Sequence, residues 1–131
     1  MKKALVVGVG PLNGLGAQLC KKIAQNNFEV YVAGRTENSI NEVVKSINKD
    51  GNKAKPIVVD VTDEKQTKRM IEEVGSGLDF AIYNVGNNTP GKIIDIEADY
   101  FRKSWETGCF GAFLFSREVI KVFLKIYQLK L

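Results

Sequence analysis

The sequence predicts an α/β fold, a doubly wound parallel sheet of about four strands with flanking helices. Two observations carry this reading. Short, continuous apolar runs alternate with amphipathic helical stretches along the chain, as expected of strands covered by helices on both faces. The first of these runs, "ALVVGV", leads directly into "GVGPLNGLG" at residues 8–16, which puts four glycines into nine positions. Glycine weakens strand and helix interiors and is favoured where backbone turns sharply or approaches a ligand closely.

The elements follow in order. Residues 4–9 read as a fully buried strand. Residues 14–25 form a helix with Leu15, Leu19 and Ile23 on one stripe and Ala17, Cys20 and Ala24 beside it. "EVYVA" at 29–33 is the second strand, and residues 38–48 place Ile40, Val43, Val44 and Ile47 at the spacing of one buried helical face. "KPIVVDV" at 55–61 supplies the third strand. Thr62 can cap the next helix, although Lys65 stands where a capping box has Glu; Thr67, Met70, Ile71 and Val74 make its inner face. "LDFAIYNVG" at 78–86 is the fourth strand. After the loop "NNTPGK", one long helix runs from about Ala98 nearly to the end, carrying Phe101, Trp105, Phe113, Val119, Ile120 and Phe123. Right-handed crossovers then set the first loop and the ends of strands two and four along one edge, where such sheets bind ligands.

Composition bounds the functions open to this fold. The chain has 131 residues, 44% hydrophobic and 26% charged, enough for one globular domain with a single core. The 19 Lys and Arg exceed the 15 Asp and Glu by four, but they are scattered along helices rather than gathered into a stripe, so nucleic acid is not implied. No histidine is present, and Cys20 and Cys109 lack the close spacing of a metal site, which disfavours zinc and His-dependent catalysis. Both cysteines fall among apolar helix neighbours and read as reduced core thiols, consistent with a cytoplasmic setting. "MKKALVVGVG" imitates a secretory signal, but Gly, Pro and Asn interrupt its apolar run and Leu19 is too bulky for a cleavage site before Cys20. No run reaches the roughly 20 apolar residues that cross a bilayer.

The residues on the binding edge define a chemistry. Backbone N–H groups of the glycine-rich turn and the helix N-terminus after it offer an anion site, with Gly14 and Gly16 removing side chains where a pyrophosphate and the strand come close. The Gly-Lys-Ser/Thr ending of a P-loop is absent. Strand two ends in Ala33-Gly34-Arg35-Thr36, without a carboxylate for ribose hydroxyls. Arg35 either meets the 2′-phosphate of NADP or simply heads a helix on the surface. Asp60 either accepts from an adenine amino group, with the Val61 amide donating to the ring, or serves as a helix N-terminal charge. Asn84 either bridges neighbouring loops or forms a turn, and Gly86 leaves room for a ribose.

Together these elements resemble the amino-terminal half of the short-chain dehydrogenase/reductase family of Rossmann-fold, NAD(P)(H)-dependent oxidoreductases, over residues 2 to about 123. The family's T-G-x-x-x-G-x-G corresponds to Val9-Gly10-Pro11-Leu12-Asn13-Gly14-Leu15-Gly16, its Asp after strand three to Asp60, and its N-A-G to Asn84-Val85-Gly86. The resemblance implies that Gly10, Leu12, Asn13, Gly14, Leu15, Gly16, Arg35, Asp60, Val61, Asn84 and Gly86 bind the cofactor. "AGR" resembles NADP-preferring members, with Gly34 where NAD-preferring ones carry Asp, so NADP(H) is expected over NAD(H).

Two departures bear on activity. Val9 replaces the usual Thr, and "TGCFGAF" puts Gly108 where the family's catalytic Asn stands. The family's catalytic Ser and Tyr-x-x-x-Lys lie beyond residue 131. No substitute exists within the chain, because Tyr31, Tyr83, Tyr100 and Tyr127 are followed four positions later by Arg35, Asn87, Ser104 and Leu131. No catalytic or metal-binding residue is therefore assigned. The expectation is one incomplete NAD(P)-binding domain over 1–131 with an atypical tail at 124–131, retaining cofactor recognition without chemistry, and prone to self-association through the helix at 98–126. A non-catalytic nucleotide-sensing module is the alternative; an S-adenosylmethionine-dependent methyltransferase is a further one, opposed by Arg35 where such enzymes usually carry an acid.

Overall fold

In the computed structural model, residues 1–86 and 91–129 are described, the side chains of 126–129 excepted. The strands are β1 (Lys2–Val7), β2 (Phe28–Gly34), β3 (Lys53–Val58) and β4 (Leu78–Tyr83), and the helices are α1 (Leu15–Ala24), α2 (Glu37–Lys49), α3 (Glu64–Val74), α4 (Ala98–Trp105) and α5 (Gly111–Leu129). All pairings are parallel, in the order β3-β2-β1-β4. The chain thus winds outward from β1 to β3 and returns to β1's other side, which creates a topological switch point between β1 and β4.

The period-two alternation of the strands divides the core. Val6, Val30, Val32 and Ala54 face α1 and α2, meeting Cys20, Ile40, Val43 and Ile47. Leu5, Val7, Tyr31, Ala33 and Ile57 face α3 and α5, meeting Met70, Val74, Phe115 and Val119. The α3–α5 layer is tied at its rim by Arg117, whose guanidinium lies 2.6 Å from the Glu64 carboxylate. The edge strand β3 carries Lys53, Lys55 and Pro56, residues that discourage pairing with another sheet, whereas β4 presents Asp79 and a 43% exposed Phe80 and, among the described residues, has a strand on one side only.

Several expectations need correction. Helix α1 buries Gly16, Ala17, Cys20 and Ala24, while Leu15 is 67% exposed. The reason is distance: a Cβ on Gly16 would lie 2.9 Å from the Gly8 carbonyl oxygen and 3.0 Å from Val9 Cα, so the helix approaches β1 too closely for larger side chains. The cap of α3 is Asp63, not Thr62; its carboxylate accepts from the Gln66 N–H at 3.1 Å. The long helix runs unbroken as expected, but its winding changes: a π-helical turn over Glu106–Phe110 joins α4 to α5. Cys109 lies on that turn and is exposed; only Cys20 is a buried thiol, its pKa pushed up to about 12 by burial. No residue of α4 is buried, and Phe101 is 68% exposed.

Strand ends also fall earlier than the apolar runs suggest. Gly8-Val9, Val59-Asp60-Val61 and Asn84-Val85-Gly86 leave the ladder and become the loops on the binding edge. The expected loop at 87–92 lies outside the described residues for 87–90. Of the expected atypical tail at 124–131, residues 124–129 continue α5, and 130–131 lie outside the description.

Candidate functional site

At the carboxyl ends of β1, β2 and β4 the chain leaves a cavity of about 490 Å³. Gly8 turns the chain out of β1 at φ 93°. The amides of Gly8 and Val9 both donate to the Ala33 carbonyl at 3.0 Å, which fastens the first turn to the end of β2. The Val59 N–H donates to the Gly34 carbonyl at 2.9 Å, and the Asn84 N–H to the Val7 carbonyl at 2.8 Å, so four strand ends are held at one level. Gly14 is the extended N-cap of α1, with no side-chain cap and no acid in the first turn. The helix therefore presents its first N–H groups and positive dipole end without a neutralising carboxylate from its own first turn.

Six of the expected site residues line this cavity: Gly10, Arg35, Asp60, Val61, Asn84 and Gly86. Leu12, Asn13, Gly14, Leu15 and Gly16 do not; residues 11–14 form the turn outside it, where the Gly14 N–H donates to the Pro11 carbonyl at 2.9 Å, and Leu15 points away. Asn84 bridges neighbouring loops, its side-chain amide donating to the Gly8 carbonyl at 3.3 Å. One Asp60 carboxylate oxygen accepts from both the N–H and the hydroxyl of Thr62, at 3.0 and 2.7 Å, so this acid shapes its own loop. Gly10 and Gly86 leave open space where a side chain would stand.

The outer wall escaped the sequence reading. Lys103, Glu106 and Thr107 close the cavity opposite the glycine turn, and the Lys103 ammonium pairs with Asp99 at 2.9 Å on the same helix. The only hint was a pair of glycines, Gly108 and Gly111, inside an otherwise helical pattern. Gly108 lies on the π-turn in open surroundings. Among the described residues no cluster of His, Cys, Asp and Glu could hold a metal ion, and no helix is long and apolar enough to cross a membrane.

A parallel sheet in 3-2-1-4 order, with a glycine-rich first turn and a cavity at its switch point, defines the nucleotide-binding α/β class. Comparison narrows the class. Residues 2–128 match the family model described as short chain dehydrogenase, and the chain belongs to that family. It is 30% identical over 124 residues to elsinochrome reductase 1 of Elsinoe fawcettii, covering 92% of this chain and 46% of that protein. A short-chain dehydrogenase from Rhodopseudomonas palustris superposes with a TM-score of 0.85 at 25% identity, covering 95% of this chain and 58% of that one. A variant of actinorhodin polyketide ketoreductase solved with NADPH matches with a TM-score of 0.84 at 22% identity, over 92% of this chain and 47% of that one. The chain thus spans about half the length of the curated relatives it matches.

Proposed function

We propose that residues 1–131 form the cofactor-binding portion of an oxidoreductase and take NADP(H) in preference to NAD(H). The observation that carries this reading is the cavity's β2 wall, where Gly34 has no side chain and Arg35 is the charged group. In this reading the first turn and the α1 N-terminus receive the pyrophosphate, Arg35 the 2′-phosphate, and Asp60, Val61, Asn84 and Gly86 the adenine and ribose surroundings. The structural neighbour holding NADPH supports the ligand class.

Hydride transfer to or from a carbonyl requires a proton donor or acceptor beside the reacting carbon. These 131 residues contain no Tyr-x-x-x-Lys, and Gly108 offers no side chain in place of the family's Asn, so this portion binds the cofactor without turning it over alone. The same half-site would serve a nucleotide sensor. Two unpaired thiols fit a reducing, cytoplasmic setting. The one-sided β4 and the exposed Phe113 and Ile120 of α5 favour self-association, which light scattering across a concentration series would read as a mass rising above that of one chain.

The test is a fluorescence titration with NADPH and NADH. Charge-assisted hydrogen bonds from Arg35 predict roughly ten- to hundredfold tighter binding of NADPH, lost in Arg35→Ala. Equal affinities, or a preference that survives the substitution, would refute the assignment.

A further inference from the structure

The geometry points to Tyr83 as a positioning residue: its hydroxyl is the wedge that opens the π-turn at Glu106–Phe110 and thereby turns the Lys103–Thr107 wall into the cavity. A π-turn holds one residue more than the α-helical ladder, and a side chain inserted into the ladder is a recognised cause of local departure from it. Here the inserted group comes from the sheet. The Tyr83 hydroxyl donates to the Thr107 carbonyl, while the Gly111 N–H reaches back five residues to the Glu106 carbonyl.

Gly111 makes the room for this contact. A Cβ there would lie 2.5 Å from the Tyr83 hydroxyl oxygen and 3.2 Å from the carbonyl oxygens of Glu106 and Val61. The Tyr83 ring is held against Phe115, with centroids 5.4 Å apart. Burial pushes the phenol pKa up to about 12, so the hydroxyl keeps its proton for donation. Because Tyr83 immediately precedes Asn84, the strand end that braces the first turn also sets the opposite wall.

The consequence follows from helix geometry. Helix α5 is fixed by Leu114, Phe115 and Val119 in the core and by Arg117 on Glu64, whereas α4 buries nothing. If the extra residue were absorbed into a regular ladder, the rotation of about 100° per residue would fall on α4. Lys103 and Glu106 would then swing out of the cavity.

The ligand-binding part of this inference rests on the dinucleotide reading, in which Arg35 holds the adenosine end and the remainder of the cofactor runs past β1 toward β4 and the π-turn. Three variants of the full chain test it: Tyr83→Phe, Gly111→Ala and the double substitution. Hydrogen exchange at residues 106–111 is measured together with calorimetric affinities for NADPH and for 2′,5′-ADP, which lacks the nicotinamide half. Tyr83→Phe is expected to change exchange at 106–111 and to weaken NADPH by roughly three- to tenfold, leaving 2′,5′-ADP unchanged. Gly111→Ala is expected to do the same with loss of stability, and the double variant to recover part of that stability, because the added methyl occupies the space the hydroxyl leaves while its 3.2 Å contacts with the Glu106 and Val61 carbonyls remain. Unchanged exchange in Tyr83→Phe, equal weakening of both ligands, or no recovery in the double variant would overturn the inference. If the wild-type chain binds neither ligand, the cofactor reading fails by itself, and exchange and recovery still decide the wedge.

Discussion

Adding one methyl group at Gly34 is a severe test of how the site is built. Gly34 is buried, its carbonyl accepts from Val59, and the preceding Ala33 carbonyl accepts from both Gly8 and Val9. A Cβ on Gly34 would overlap the Val9 carbonyl oxygen, well inside the 3.0 Å that real Cβ atoms keep, and would touch Ile40 at 3.5 Å. The obstructing atom is backbone, in a segment held by the Gly8 and Val9 N–H bonds to the Ala33 carbonyl, so no flexible side chain can yield. Overpacking of this kind lies toward the upper end of its usual range, about 2–3 kcal/mol. For a chain of this size about 4 °C of Tm accompanies each kcal/mol, so Gly34→Ala should melt roughly 8–12 °C below wild type. Circular dichroism melts and guanidinium titrations check this, with the exposed Lys45→Ala as control. On the proposed NADP(H) reading, the same overlap predicts that Gly34→Asp loses NADPH without gaining NADH, although it supplies the acid that the family resemblance implies for NAD preference. A Gly34→Ala variant with the wild-type Tm, or a folded Gly34→Asp that binds NADH more tightly than NADPH, would refute the reasoning.

The two cysteines supply further checks. A thiol reagent should label Cys109 in the native chain and Cys20 only after denaturation, giving one reactive thiol per chain and then two; both reacting natively would contradict the packing of α1. Burial raises the folded pKa of Cys20 from 9.0 to about 12, so its stabilisation is fully present below pH 9 and is lost as pH rises toward 12. The expected slope is about 1.4 kcal/mol per pH unit in that window, read from denaturation midpoints at stepped pH. Cys20→Ala should remove this limb and leave the decline that Tyr83 causes above pH 10.

The order and type of β1, α1, β2, α2, β3, α3 and β4 were legible in the sequence, because each is a local pattern: a buried parallel strand is a short apolar run, and an amphipathic helix repeats every 3.6 residues. The glycine-rich turn and Arg35 after β2 were legible for the same reason, since each sits at a strand end marked by its own neighbours. What periodicity does not encode is how closely two elements approach. The apolar pattern of α1 gave two adjacent stripes without deciding which meets the sheet; Gly16 brings the helix so near Gly8 and Val9 that the small face of Ala17, Cys20 and Ala24 is buried and Leu15 is exposed. Equally, residues 98–129 read as one helix and are one, because each turn is locally helical; the π-turn between α4 and α5 is met by a hydroxyl 24 positions earlier in the chain. Lys103, Glu106 and Thr107 line the cavity at that π-turn. A contact between a strand and a distant helix leaves no period in either, so only the tertiary structure decides where it falls.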